Sequence, residues 1–205
     1  MSGAVGVGES GGPGDAEPCG LAGGHYVGMS DNLSFMSSAV VRIEQFEKAE
    51  RGEIFGDDAD PFGVVGVGLT WQSKREHFAV RRAGRLVAHT GLITLPISVG
   101  AVRAEVVGVG GVAVAPDHRG QGLARLVMAA ALEHARTLGP QHGLLFCRPP
   151  LVPLYQGLGW HELQQDVRVE QPGGPVTMPL RSMWTPLHDG AQWPAGPVHL
   201  LALPM

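Results

Sequence analysis

Regular alternation of apolar and polar positions begins near Ser37. Residues 38–43 (Ser-Ala-Val-Val-Arg-Ile) predict a strand, and residues 44–51 a short helix that Gly52 ends. Residues 56–70 are rich in Gly and Asp and read as a loop or short helices. Residues 77–81 predict a strand, Arg82-Ala83-Gly84-Arg85 a turn, and residues 86–93 the second arm of a hairpin. Residues 106–114 are a near-continuous run of Val and Gly, the pattern of a strand covered on both faces.

The strongest helical signal comes next. Leu123, Leu126, Val127, Ala130, Ala131 and His134 fall on one stripe of a 3.6-residue period, and Leu138-Gly139-Pro140 is a stop signal. Residues 143–147 predict a buried strand cut by Arg148-Pro149-Pro150, and residues 151–158 a short helix. Strands are expected near 161–170 and 176–185, then an irregular Pro- and Gly-rich tail from about 186, packed on the sheet. No internal repeat is visible.

Composition narrows the class. With 205 residues the chain is long enough for one domain plus tails, and 44% hydrophobic residues suffice for a sizeable core. A formal charge of -4 offers no basic excess to neutralise phosphates, so nucleic acid is not an expected partner. No apolar run reaches the ~18 residues of a membrane span, and the first basic residue is Arg42, so neither a span nor a secretory leader is expected. The two cysteines, Cys19 and Cys147, lack metal-site or disulfide-framework spacing, which fits a reducing cytoplasm and no metal. Residues 1–30 are expected to form a disordered Gly-rich tail, with one domain over 31–205. The GxGxxG letters at 6–11 have no strand before them or helix after, and reflect composition.

The chemistry concentrates in Val112-Ala113-Val114-Ala115-Pro116-Asp117-His118-Arg119-Gly120-Gln121-Gly122-Leu123-Ala124. It is a buried strand, a Pro turn, a glycine-spaced loop and a helix start. Glycines let backbone approach a ligand, and the unpaired N–H groups of a first helical turn favour phosphate. No Gly-Lys-Ser/Thr follows, so a Walker loop is excluded. A diphosphate held by amides without a metal is one reading, and a tight structural turn is the other.

Arg119-Gly120-Gln121-Gly122-Leu123-Ala124 resembles the Q/R-x-x-G-x-G/A pyrophosphate loop of the GNAT (GCN5-related N-acetyltransferase) superfamily. Leu154-Tyr155-Gln156-Gly157-Leu158-Gly159-Trp160 resembles its Y-x-x-x-G-F/W signature, with a helix and a strand between the two. Leu86-Val87-Ala88-His89 and the C-terminal region look like the aminoglycoside 2'-N-acetyltransferase and nodulation acyltransferase branches. The resemblance implies an α/β (α+β) fold: a mixed, mostly antiparallel central sheet, flanked by helices and splayed between its fourth and fifth strands. It implies acetyl-CoA as co-substrate and a small-molecule primary amine as acceptor, with homodimers one open assembly.

Under that resemblance, pantetheine pairs with Val112, Ala113 and Val114, and the diphosphate sits on Gly120, Gln121, Gly122, Leu123 and Ala124 beside Arg119. Tyr155 is the expected general acid, since a phenol with pKa near ~10 can protonate a departing thiolate; space-filling is the plainer alternative. Many relatives carry a Glu base where this chain has Gly108 or Gly110, so His77, His89 and Glu105 are the remaining candidates, and the glycines are expected to leave room for a bulky acceptor. A non-catalytic acyl-CoA-binding protein and transfer of a longer acyl chain are the alternatives. Cys147 reads as an inert core thiol, Trp71, Trp184 and Trp193 as packing or pocket lining, and Asp57, Asp58 and Asp60 as a solvated acidic loop.

Overall fold

The computed structural model describes residues 40–205. The expected 1–30 tail, the 6–11 glycine run, Cys19 and the first two positions of the 38–43 strand lie outside the described residues. The described chain is one mixed sheet with helices against it. Its strands are β1 (Val40–Ile43), β2 (Glu76–Arg82), β3 (Arg85–Val99), β4 (Val102–Val114), β5 (His142–Cys147), β6 (His161–Glu162), β7 (Val167–Val169), β8 (Val176–Thr177), β9 (Arg181–Pro186) and β10 (Val198–Leu200). Its helices are α1 (Lys48–Phe55), α2 (Leu123–Ala135) and α3 (Val152–Gln156), with 3-10 turns at Val65–Val67, Pro116–His118 and Pro149–Leu151.

The long strand β3 is the spine. One of its edges pairs with β4 along nearly the whole length. The other edge is shared: Arg85 to Leu92 pairs with β2, and Ile97 to Val99 with β10. Two ladders are parallel, β4 with β5 and β10 with β7, and the others are antiparallel. Helix α2 buries Leu123, Leu126 and Val127 against Ala79, Val80, Leu86 and Val87, and Met128 and Ala131 join Val107, Val109 and Leu145. A second cluster gathers Val167, Val169, Val198 and Leu200 of β7 and β10 with Ile93, Leu95, Ile97 and Val106.

Several boundaries depart from the sequence reading: β4 begins at Val102, and the strands expected near 161–170 and 176–185 are each broken in two. Helix α1 starts later and runs through Gly52, because Glu47 and Glu50 form a reciprocal capping box and the stop comes at Gly56 instead. Strand β3 continues past residue 93 through Pro96, which still pairs with Glu105 while its carbonyl accepts the Leu201 N–H. The tail after 186 is not wholly irregular, since Val198–Leu200 inserts between β3 and β7. No helix among the described residues is long and apolar enough to cross a membrane.

Candidate active site

The β4–β5 ladder registers at only two pairs, Val107 with Gly143 and Gly108 with Leu144. Beyond them both strands continue without pairing to each other, and a cleft of about 440 Å3 lies between residues 109–112 and 145–148. A bulge shapes its β4 wall. Opposite the single residue Thr90, β4 carries two, Gly111 and Val112, neither with a register partner on β3 or β5. Gly111 takes φ +64°, the left-handed conformation that such a bulge asks of its first residue. Further along, the Ala115 N–H goes to the Val87 carbonyl on β3, so the alternation of a strand turns the Val114 N–H to the open side.

At the end of β4 the 116–118 turn is pinned by Arg85, which forms an ion pair with Asp117. Gly120 and Gly122 follow with φ +76° and +74°, and nothing lies within 4 Å of where a Cβ would stand on either. Gly122 is the N-cap of α2 with no side-chain cap, so the first N–H groups of this long helix face open space. The Arg119 Nε donates to the Val114 carbonyl at 3.3 Å, and Gln121 is exposed.

Tyr155, on α3, lines the cleft and is 6% exposed. Trp160, fully buried, meets its ring edge-on at 6.4 Å between centroids and donates its backbone N–H to the Tyr155 carbonyl. Arg125 of α2 donates to the Gly157 carbonyl, fixing the turn after α3. Burial pushes the phenol's pKa well above its ordinary value, with the nearby Cys147 adding to the effect. Cys147 is itself raised to about 11 by burial, then by Glu162, and its thiol lies 3.7 Å from the Met183 sulfur. That is the environment of an inert thiol.

Two histidines meet on the β2–β3 side. The His89 Nδ1 lies 2.9 Å from the Gly111 carbonyl, which can only accept, so Nδ1 carries the proton. Burial lowers the His89 pKa to about 3, so the ring is neutral and its Nε2 is an acceptor. The His77 Nδ1, 3.1 Å from that Nε2, must then donate, which leaves the lone pair of neutral His77 on its own Nε2. The pKa of His77 is lowered by burial and by the Lys74 charge, with the Lys74 carbonyl working the other way. Phe46 stacks on His89 at 3.6 Å.

Between these walls lies Lys74. Gly91 and Gly110 face each other across β3 and β4, and the Lys74 side chain runs through the slot they leave. A Cβ on Gly91 would stand 2.7 Å from the Lys74 Cβ and Cγ, and one on Gly110 would stand 2.8 Å from its Cε. Burial, then the charge of Arg51, brings the Lys74 amine down to about 8.

Residues 69–163, from before β2 to β6, match the family described as "Acetyltransferase (GNAT) domain". That stretch, somewhat under half of the chain, carries the likeness to the GNAT superfamily. Among solved structures, the GNAT-family N-acetyltransferase YhbS of Escherichia coli, in complex with CoA, has a TM-score of 0.51 at 18% identity, over 80% of this chain and 90% of that one. A GCN5-related N-acetyltransferase from Kribbella flavida has 24% identity and a TM-score of 0.44, over 60% of this chain but 34% of that one, so the chain spans about a third of that protein. A GNAT-family acetyltransferase from Brucella melitensis, in complex with acetyl-CoA, has 14% identity and a TM-score of 0.46, over 78% and 94%. The YhbS likeness carries the fold. No curated protein matches the chain in sequence.

Within the GNAT domain the sequence-predicted residues fall in two groups. Val112 and Tyr155 line the cleft; Ala113 and Val114 continue its β4 edge, while Arg119 to Ala124 form the separate loop at the start of α2. Of the candidate bases, His77 and His89 line the cleft, whereas Glu105 is exposed on β4 opposite Pro96 and does not. The room expected at the glycines is taken. Met205 and Leu95 occupy the space in front of Gly108, and Lys74 that in front of Gly110, so a side chain at either position would have to displace the ends of these flexible side chains. Trp71 lines the cleft, while Trp184 and Trp193 pack on each other away from it. Asp60 and Asp58 accept hydrogen bonds from neighbouring backbone N–H groups, a self-capped loop outside the cleft. Among the described residues no three His, Cys, Asp or Glu gather as a metal site. Sequence reasoning missed Lys74 and Arg51, because only the slot beside Gly91 brings that lysine to β4.

The histidine pair makes stability depend on pH. Above the ordinary 6.5 the His89 ring is neutral folded or unfolded, and below it the unfolded chain binds a proton that the folded chain refuses until about 3. Stability is therefore expected to fall as pH drops through that window, by up to ~1.4 kcal/mol per pH unit. His89→Gln should lower the melting temperature at neutral pH yet flatten this dependence. A variant as acid-sensitive as the parent would assign the effect elsewhere.

Proposed function

We propose that this chain transfers an acetyl group from acetyl-CoA to a primary amine of a small molecule, by direct attack in a ternary complex. The observation that carries the reading is the parting of β4 and β5 after Gly108 and Leu144, with Tyr155 inside the resulting cleft. In this reading the diphosphate lies on the amides of Gln121 to Ala124, with Arg119 beside it, where helix-start N–H groups meet open space. Pantetheine adds as a strand to the free edge of Val112 to Val114. The Val112 N–H, which by the same alternation as Val114 lies on the edge of β4 that β5 leaves unpaired, polarises the thioester carbonyl.

The remaining steps are proton transfers. The acceptor must attack as a neutral amine, and His77, aligned by His89 and the Gly111 carbonyl, takes its ammonium proton at Nε2 through water. Nitrogen adds to the carbonyl carbon, the carbon–sulfur bond breaks, the thiolate receives the Tyr155 phenol proton, and the second proton shed by the nitrogen returns to the phenolate through water. Burial keeps the phenol protonated until a thiolate forms beside it, and it also makes the phenol a weaker acid, so its contribution rests on its position in the cleft. In this reading His77 replaces the glutamate absent at Gly108 and Gly110, where Leu95, Met205 and Lys74 side chains now stand.

The test has two steps. Acetyl-CoA should raise the melting temperature, since a ligand selective for the folded state must stabilise it. Thiol release should then follow with at least one member of a panel of amino acids, amino phosphates, polyamines, peptides and aminoglycosides. Stabilisation without turnover across the panel would instead favour a non-catalytic acyl-CoA-binding protein. No stabilisation at all would end both readings.

A further inference from the structure

We propose that the acceptor amine carries an anionic oxyacid group, a carboxylate or a phosphate, met in the cleft by the Lys74 ammonium. This rests on the acetyltransfer reading and adds the class of acceptor to it.

The charge of the cleft carries the argument. Arg51, Lys74 and Arg148 line it, and no Asp or Glu side chain does. Among the described residues none of the three makes an ion pair. The main chain of Met205 also reaches the cleft near Lys74, and the two form no ion pair. These cations are not needed for the diphosphate, because none of residues 119–124 lines the cleft.

Lys74 is also fixed in place. A lysine on an open surface swings its amine into water, but here Gly91 and Gly110 enclose the stem. The Lys74 Nζ would stand 3.2 Å from a Cβ on Gly110, one residue before the bulge that borders the thioester site. A cation drawn partly out of water without a counter-ion is unfavourable, and its lowered pKa reports that strain. An anionic ligand relieves it, and a polycationic one aggravates it. The slot thus holds one positive charge beside the reacting centre at little further loss of side-chain freedom. An amine with an oxyacid group a few bonds away would be oriented by that charge while its nitrogen reaches the carbonyl.

Matched pairs test this with the full chain and acetyl-CoA: γ-aminobutyrate against 4-aminobutanamide, and O-phosphoethanolamine against ethanolamine, with spermidine as the polycation. The anionic member of at least one pair should show kcat/KM at least ~10-fold above its neutral partner. The pair that responds tells carboxylate from phosphate. Lys74→Met should cut that ratio to within ~3-fold, Lys74→Arg should keep part of it, and neither should change stabilisation by acetyl-CoA. Preference for the neutral amines or for spermidine, or a ratio untouched by Lys74→Met, overturns the inference and leaves acetyltransfer standing. If no amine turns over, calorimetric binding of butyrate and ethyl phosphate decides. Binding lost in Lys74→Met upholds the anion site even where acetyltransfer has failed, and binding of neither anion to the parent chain overturns it.

Discussion

Tyr155→Phe is expected to lower kcat by on the order of 10²–10³-fold while leaving stabilisation by acetyl-CoA unchanged. The substitution removes one oxygen and keeps the ring against Trp160, so the packing that holds α3 survives. What is lost is the proton for the departing sulfur. Burial keeps that proton on the phenol throughout the working pH range, so ionisation of Tyr155 should not cause a fall in rate on the alkaline side. Thiol release measured with a saturating amine, beside a melting curve with acetyl-CoA, separates the outcomes. A variant as fast as the parent would make Tyr155 a packing residue and remove the acid from the mechanism.

The second large effect is expected at the start of α2. Gly120 and Gly122 hold φ +76° and +74°, a region where a β-branched residue loses roughly 1–2 kcal/mol each. The double variant Gly120→Val, Gly122→Val must either leave that conformation or cover the amides with methyl groups. Either way the diphosphate loses its seat. KM for acetyl-CoA should rise at least ~50-fold, a loss of about 2 kcal/mol, with a smaller change in kcat at saturation. Gly139→Val is the control for strain alone, since Gly139 has φ +99° but follows the other end of α2. It should lower the melting temperature without moving KM. Equal KM in the double variant and the parent would place the diphosphate elsewhere.

What the sequence made legible follows from how local each signal is. The α2 stripe, its Leu-Gly-Pro stop and the glycine-spaced loop are all set by neighbours within a few positions, and the structure has them near where the pattern predicts. The Gly52 boundary failed because a capping box three residues wide outweighed one helix-weakening glycine. Pro96 masked the second half of β3, since a missing N–H normally argues against a central strand. Tyr155 was legible through the spacing of its motif, and Cys147 through its apolar neighbours. Lys74 was not, because nothing beside it in the chain distinguishes it from any surface lysine. Its setting depends on two glycines, one on each of two paired strands, and only their register makes the slot. The likewise unforeseen link between His77 and His89 joins two strands of a hairpin, where ring orientation is decided by the Gly111 bulge.

Strand β3 lends one edge to two partners, and the later of them, β10, brings Leu203 and Pro204 to Gln72 and Met205 to Gly108. Residues 198–205 are thus the last part of this wall in chain order, well after α2 and its loop. Without residues 198–205 the Gly108 face of β4 keeps only Leu95 in front of it, and the Gly110 side of the Lys74 slot loses its Met205 neighbour. In the proposed reading the coenzyme's seat and the acceptor's wall therefore draw on separate stretches of chain, and a chain clipped before residue 198 is expected to keep the first while losing the second.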